Sequence, residues 1–403
     1  MTGTQLNVAM VGTGMMGRIR SLAYATLPSF FPDLPAVRRK VVVDVTEDLA
    51  RRGAHQFGYD EASVDWKKAI DDPNVHIVDI VTPNDSHRPI AEFAMALGKH
   101  VLCEKPLALS AEEARLMAEQ SRRSKGTCMV GFNYRRCPAV LEAKKLIDEG
   151  AIGDILTFRA LYLQDWAMPE GTPWSWRFGA KEAGSGALGD IGSHALDYAL
   201  FLVGEVESAA AMTETFVSSR PRSTAANFAT ASKGTNGAAP WSANEMVPVD
   251  VDDVAISLIR FKNGALGTLE ASRFAWGHKN DLCFEVSGTK GALSFRWERR
   301  NELHYYSATD RSDIQGYRTI MCGPAQPSGE LFWPIPGLGT AFYEAQVLQL
   351  GTFLKAIVKG AQPDTDFAHG YRVQEIMETM LTAARNGRWT PVTYRLQEQS
   401  REA

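Results

Sequence analysis

The chain has 403 residues, 45% hydrophobic and 22% charged, an ordinary globular composition on a length that predicts two domains rather than one. A formal net charge of −4 gives no electrostatic case for nucleic acid or an anionic membrane as partner, and no stretch approaches the roughly 20 apolar residues of a membrane span. The five cysteines show no CxxC spacing and the first residues lack a basic, signal-like region, which predicts reduced thiols, no metal site and a cytoplasmic setting.

Strand-like and helix-like patterns alternate through the first 131 residues, the signature of a parallel sheet covered by helices. Leu6–Val11 is a short apolar run ending in glycines, and Arg18–Leu27 reads as the helix after it. Lys40–Asp44 reads as a strand and Leu49–Phe57 as a helix. Val75–Thr82 is a β-branched run of the kind buried on both faces. His87–Ala96, His100–Cys103, Ala111–Arg123 and Thr127–Gly131 continue the alternation. From residue 132 to 403 a second, α+β domain with a mostly antiparallel sheet is expected. Its strands are Ile155–Leu163, Val206–Val217, Val249–Phe261, Ala265–Phe274, Leu282–Ser287 and Ala292–Trp297, with hairpin turns at Lys262–Gly264 and Gly288–Gly291. Ser218–Asn244, rich in Ser, Ala, Gly and Thr, reads as a long loop. Helical patterns return at Thr340–Lys359 and His369–Asn386.

Gly12-Thr13-Gly14-Met15-Met16-Gly17 follows the first strand directly and opens a helix, the place where a dinucleotide pyrophosphate meets free backbone N–H groups, here those of Gly14, Met15 and Met16. Gly12 suits the tight turn, Gly14 the close approach of phosphate, and Gly17 the packing of helix on strand. Asp44 ends the next strand, where a carboxylate holds the adenosine ribose. It comes 27 positions after Gly17, and Pro28, Pro32 and Pro35 mark an insertion that explains the excess. Arg38, Arg39 and Lys40 lie too far upstream to serve a 2′-phosphate, so NAD is expected over NADP.

Glu104-Lys105-Pro106 follows a strand-like segment, at the end of the sheet where ligands bind. Lys105 is a candidate for orienting a substrate hydroxyl, its pKa lowered beside an oxidised nicotinamide. Asp190, His194 and Asp197 are spaced to share one helix face, and His194 suits proton transfer near neutrality. Upstream, Gln164, Trp166, Trp174, Trp176 and Arg177 combine ring faces with polar groups, as a carbohydrate requires. The bland reading of each is ordinary: a surface lysine, a capped helix with a core histidine, and one or two tryptophans engaged in packing.

Together, Gly12–Gly17, Thr82-Pro83-Asn84 with His87, Glu104-Lys105-Pro106 and Gly189–His194 resemble the glucose–fructose oxidoreductase / inositol dehydrogenase / rhizopine catabolism family. The Phe31–Pro35 insertion, Gln164-Asp165-Trp166 and Trp174–Phe178 are similar to its levoglucosan-dehydrogenase-like subgroup. The resemblance implies an N-terminal Rossmann domain and a C-terminal domain whose open-faced sheet builds dimers or tetramers. It implies catalytic roles for Lys105, Asp190 and His194, and cofactor-lining roles for Thr82, Asn84, His87 and Glu104. Asn133, Tyr134 and Arg135 fall where the family approaches nicotinamide and substrate. The expected activity is NAD-dependent oxidation of a hydroxyl on a cyclic sugar, anhydrosugar or polyol. An NAD-dependent glycoside hydrolase would use the same residues plus a leaving-group acid, for which Asp165 and Tyr134 are candidates. A non-catalytic sugar sensor is the third reading, and the intact Lys, Asp and His argue against it.

Overall fold

The computed structural model describes residues 5–169, 171–223 and 241–396. The chain separates into two compact units. The first holds the residues up to Gly131, Leu350–Glu378 and the residues from Val392 on; the second holds Phe132–Gln349 and Thr379–Pro391. One division between the units lies at Gly131/Phe132, and the residues after it are shared between both units.

In the first unit six strands form one parallel sheet: β1 (Leu6–Val11), β2 (Val37–Val43), β3 (Glu61–Ser63), β4 (Ile77–Ile80), β5 (His100–Cys103) and β6 (Cys128–Val130). Their order is β3-β2-β1-β4-β5-β6, the doubly wound order whose crevice opens between β1 and β4. All four residues of β4 are buried, as its β-branched run requires. Between the strands lie α1 (Met15–Phe30), α2 (Glu47–Phe57), α3 (Trp66–Asp71), α4 (His87–Ala96) and α5 (Ala111–Arg123). Their ends follow local chemistry. Thr46 and Ser110 accept from the Leu49 and Glu113 N–H groups at the starts of α2 and α5, and α2 stops at Gly58 with φ +70°.

Two local expectations change. Pro28 sits inside α1, so only Pro32 and Pro35 belong to the insertion, and β2 begins at Val37 rather than Lys40. The return of Leu350–Glu378 to this unit has a physical cause at its edge. The Cys128 N–H donates to Gln362 Oε1 (2.9 Å), the Val130 N–H to the Thr365 carbonyl (2.8 Å), and the Ala111 N–H to Glu378 (2.7 Å). The first two bonds cover β6, whose outer groups would otherwise be an open edge.

The second unit is built on a nine-stranded sheet, with α6 (Pro138–Asp148), a short α7 (Ala180–Ala183) and α8 (Ser193–Leu202). Its main strands are β7 (Ile155–Leu163), β8 (Val206–Glu214), β11 (Val254–Phe261), β12 (Leu266–Ser272), β13 (Asp281–Gly288), β14 (Gly291–Arg296), β15 (Glu302–Ser307) and β16 (Arg318–Met321), closed by β17 (Thr390–Pro391). Only β7 and β12 pair in parallel. Along β11, buried Ala255, Ser257, Ile259 and Phe261 alternate with exposed Ile256, Leu258 and Arg260, so one face is covered and the other is open. The segment expected as a loop at Ser218–Asn244 instead carries strands at both ends. β9 (Ser219–Ser223) and β10 (Trp241–Pro248) pair antiparallel, and the residues between them lie outside those described. Two helices, α9 (Phe342–Lys359) and α10 (Phe367–Asn386), complete the chain.

Candidate active site

The glycine turn of the first unit has a distinct reason for each glycine. Gly12 has φ +110°, and a Cβ there would lie 2.9 Å from the Val81 carbonyl oxygen. A Cβ on Gly17 would overlap the Gly12 carbonyl. Gly14, by contrast, faces open space and caps α1 with no side-chain hydrogen bond. Bare N–H groups beside open space are what a pyrophosphate needs. The turn is locked from outside by Asp44: Oδ2 accepts the Thr13 N–H (2.8 Å) and the Thr13 hydroxyl, and Oδ1 accepts the Val45 N–H (2.7 Å). A carboxylate retains further lone pairs for ribose hydroxyls. Arg38 is paired with Asp60, Lys40 with Glu61 and Asp72, and Arg39 donates to the Phe57 carbonyl. These residues fit NAD.

At the neighbouring strand ends, the Thr82 hydroxyl accepts from Ser86 (2.6 Å) and the Asn84 side chain is buried. His87, expected against the cofactor, is fully buried. Its two ring nitrogens lie 3.0 Å from the Thr82 and Pro106 carbonyl oxygens, so it braces the loops after β4 and β5. Burial pushes its pKa down against the pull of those carbonyls. Glu104 is also turned inward. Its Oε1 accepts from Arg20 of α1 (2.6 Å), with buried Asp79 on the other side of the guanidinium at 3.7 Å, and Oε2 accepts the Lys105 N–H at 3.3 Å. Its carboxylate therefore supports the Lys105 turn from within the protein. Arg20 lies 84 positions from Glu104, and no spacing rule connects them. Lys105 itself is half-buried and forms a cis peptide with Pro106.

In the second unit, a π-helical turn at Leu188–Gly192 leads into α8, a geometry often found at functional positions. Asp190 lies in that turn, and His194 in the first turn of α8. The Arg177 Nε stands 3.7 Å from Asp190 Oδ1, and its guanidinium lies 4.4 Å over the Trp176 ring; both charged side chains remain partly exposed. Asp190, Arg177 and Trp176 are thus brought together. His194 is nearly buried in an aromatic nest, edge-on to Tyr134 at 4.6 Å and to Phe132 at 5.8 Å. Asp197, expected on the same face, turns away to Arg135.

Several residues expected at the substrate make hydrogen bonds within the protein. Arg135 is a buried partner of Asp197: its Nε donates to Oδ2 (3.0 Å), its Nη2 to Oδ1, and its guanidinium lies 4.5 Å over Phe201. The Tyr134 hydroxyl closes a ring of three bonds. Tyr162 donates to Asn280 Oδ1 (2.7 Å), Asn280 Nδ2 donates to Tyr134 (3.0 Å), and Tyr134 then donates to Tyr162 (2.8 Å). Gln164 donates to the same Asn280 oxygen (2.8 Å) and accepts from Trp166 Nε1 (2.8 Å). Trp166 and Trp174 pack on the small core of Ala167, Phe178, Val249 and Val251, leaving Trp176 as the ring beside the Arg177–Asp190 pair. Asp165 pairs with Lys279 (2.6 Å), which with the Gly277 N–H holds its carboxyl below the usual range. The stretch Ala183–Leu188, despite its glycines, is largely buried and pinned by Asp252. Asn133 is buried, and its Nδ2 makes no hydrogen bond within the protein.

Comparison with known proteins decides the family. Residues 6–132 match the profile of the oxidoreductase family, NAD-binding Rossmann fold, and residues 140–294 that of the GFO/IDH/MocA C-terminal domain. The chain belongs to the GFO/IDH/MocA oxidoreductase family. It is accordingly an NAD-dependent oxidoreductase, and the glycine turn with Asp44 fits that cofactor. Levoglucosan dehydrogenase of Pseudarthrobacter phenanthrenivorans is 45% identical over 96% of this chain and 98% of its own length. The scyllo-inositol 2-dehydrogenase (NAD(+)) of Bacillus subtilis is 29% identical over 89% and 88%. Among solved structures of this family, levoglucosan dehydrogenase in complex with NADH and L-sorbose has a TM-score of 0.91 at 43% identity, covering 97% of this chain and 100% of that one. No helix among the described residues is long and apolar enough to cross a membrane.

Proposed function

We propose that this oxidoreductase oxidises a secondary hydroxyl of a cyclic sugar, with anhydrosugars of the levoglucosan type and inositol-like polyols as the first candidates. The carrying observation is the Trp176–Arg177–Asp190 constellation immediately before His194: an apolar ring face, a guanidinium and a carboxylate beside a histidine. Likeness to levoglucosan dehydrogenase over nearly its whole length supports the substrate class. In this reading Gly12, Gly14, Met15, Met16, Asp44, Thr82, Asn84 and Asn133 hold NAD, which when bound accepts hydride from the hydroxyl-bearing carbon. His194 takes the hydroxyl proton on a ring nitrogen, Lys105 donates a hydrogen bond to the hydroxyl oxygen, and Asp190 with Arg177 orients the ring.

Two observations weigh against glycoside hydrolysis. A leaving-group acid must hold a proton at neutral pH, yet Asp165 is kept ionised by Lys279. Tyr134 commits its proton to Tyr162. The same reading assigns the open face of the nine-stranded sheet, with exposed Met212, Ile256, Leu258 and Leu266, to a second copy of the chain.

The test is a screen of levoglucosan, inositols, free sugars and aryl glycosides with NAD, following NADH absorbance and aglycone release together. Deuterium at the reacting carbon should appear in NADH in proportion to ketone formed. Aglycone release without NADH accumulation would sink the dehydrogenase reading and favour the hydrolase.

A further inference from the structure

The second unit buries two residues that no motif marks, and both reach the segments carrying Arg177 and Asp190. Asp252 lies between β10 and β11. Its carboxylate accepts the N–H groups of Gly186 (2.7 Å) and Leu188 (2.8 Å), and its carbonyl accepts that of Ala187 (2.8 Å). One residue thus takes three successive N–H groups leading into the π-helical turn of Asp190. A Cβ on Gly186 would overlap the Asp252 backbone, so the two segments touch with no room for adjustment. Arg273 follows β12 and is fully buried. Its Nη2 donates to the Asp252 carbonyl (2.9 Å) and its Nη1 to the Arg177 carbonyl (3.1 Å). Asp253 balances its charge at 3.7 Å and is itself fixed by the Phe216 and Val217 N–H groups.

A single guanidinium therefore joins the turn of Arg177 to the residue that holds the turn of Asp190. The Arg177–Asp190 pair is 3.7 Å long, beyond a good hydrogen bond, so the pair does not set its own geometry. The two backbones must be placed for it. A buried guanidinium is costly to desolvate and is useful where a fixed fork of donors must bridge two separate acceptors. We propose that Asp252 and Arg273 are positioning residues that hold Arg177 and Asp190 in register for the sugar ring, an inference that rests on the substrate-binding role given to that pair above.

The experiment uses the full-length protein with Asp252→Asn and Arg273→Lys. The amide that Asp252→Asn introduces would turn an NH₂ toward one of two N–H donors. In Arg273→Lys the charge is kept, but a single ammonium cannot span both carbonyls. Misplacement of about 1 Å can cost roughly 10²-fold, so kcat/KM for the accepted sugar should fall by about 10–100-fold in each variant. The NAD dissociation constant, read by calorimetric titration, should stay within about twofold of wild type, since an ordinary packing defect would not spare one ligand and lose the other. In an Arg177→Gln background the same substitutions should cost less than about twofold further, because the pair they align is gone.

Hydrogen exchange gives a readout that needs no substrate. In Asp252→Asn, residues 174–178 should exchange faster along with residues 186–192, although the Asp252 side chain bonds only the latter. Near-wild-type kcat/KM, additive losses in the Arg177→Gln background, or faster exchange confined to residues 186–188 would each overturn the proposal. If the wild type oxidises no sugar, the substrate reading fails while the exchange result still decides whether the two segments are joined.

Discussion

Replacing Arg135 by Met should damage stability and leave sugar affinity intact. Arg135 and Asp197 are 2% and 0% exposed. The guanidinium donates to both carboxylate oxygens and, at 3.3 Å, to the Asp197 carbonyl, while its flat face covers Phe201. Methionine fills much of the volume but leaves a buried carboxylate without its counter-charge. Breaking a buried pair from one side costs about 3–5 kcal/mol. At roughly 2–4 °C per kcal/mol for a unit of this size, the melting temperature of the second unit should fall by roughly 6–20 °C. Adding Asp197→Leu removes the stranded charge and should recover most of the loss, a coupling that a double-mutant cycle measures directly. Scanning calorimetry of wild type, both single variants and the double variant supplies the numbers. Sugar KM is then read at a temperature where every variant is folded. A variant that melts within about 2 °C of wild type but shows a tenfold higher KM would refute the reasoning and return Arg135 to the substrate.

Asp44→Ala should narrow the preference for NAD over NADP, read by isothermal titration; tighter NADP binding to the wild type would overturn the ribose assignment. His194→Asn should lower kcat by about 10²–10⁴-fold, the usual share of a general base, with NAD affinity nearly unchanged, and near-wild-type turnover would make His194 a packing residue of its aromatic nest. Asp165 is held ionised by Lys279, so its folded pKa lies below its unfolded one and its contribution exists above the unfolded value. The gap in urea midpoint between wild type and Asp165→Asn should be constant above about pH 5 and close as the pH drops through the acid range. A gap that persists to pH 2 would show that the ion pair is not its source.

Local signals are readable where a segment answers to its own residues. The apolar runs place β5, β7, α4 and α5 at their observed bounds, and the glycines announce their turn because Gly12 and Gly17 sit where a side chain would collide with backbone. Strands β15 and β16 give no such signal: Glu302–Ser307 mixes charged and aromatic residues without a β-branched run, and Arg318–Met321 is a short, largely exposed edge. The helix Pro138–Asp148 is legible in principle from its leading proline. In the site, residue type marks out Trp176, Arg177, Asp190 and His194. What type does not reveal is the partner. Arg135 meets Asp197 62 positions away and Gln164 meets Asn280 116 positions away, so two residues that suit a sugar on chemistry alone are engaged within the protein. His87 and Glu104 likewise meet partners that only the fold reveals, the Thr82 and Pro106 carbonyls and Arg20.

The closed ring of Tyr134, Tyr162 and Asn280 fixes where its hydroxyl protons rest. Each of its three donors points to the next member, so the ring runs in one direction and no hydroxyl proton is left over. Removing one oxygen, as Tyr162→Phe does, opens the circuit. Tyr134 keeps the Asn280 amide as its donor but loses its acceptor, and its O–H is released on a ring whose centre lies 4.6 Å from that of His194. A phenol in that state keeps its proton, because burial raises its pKa.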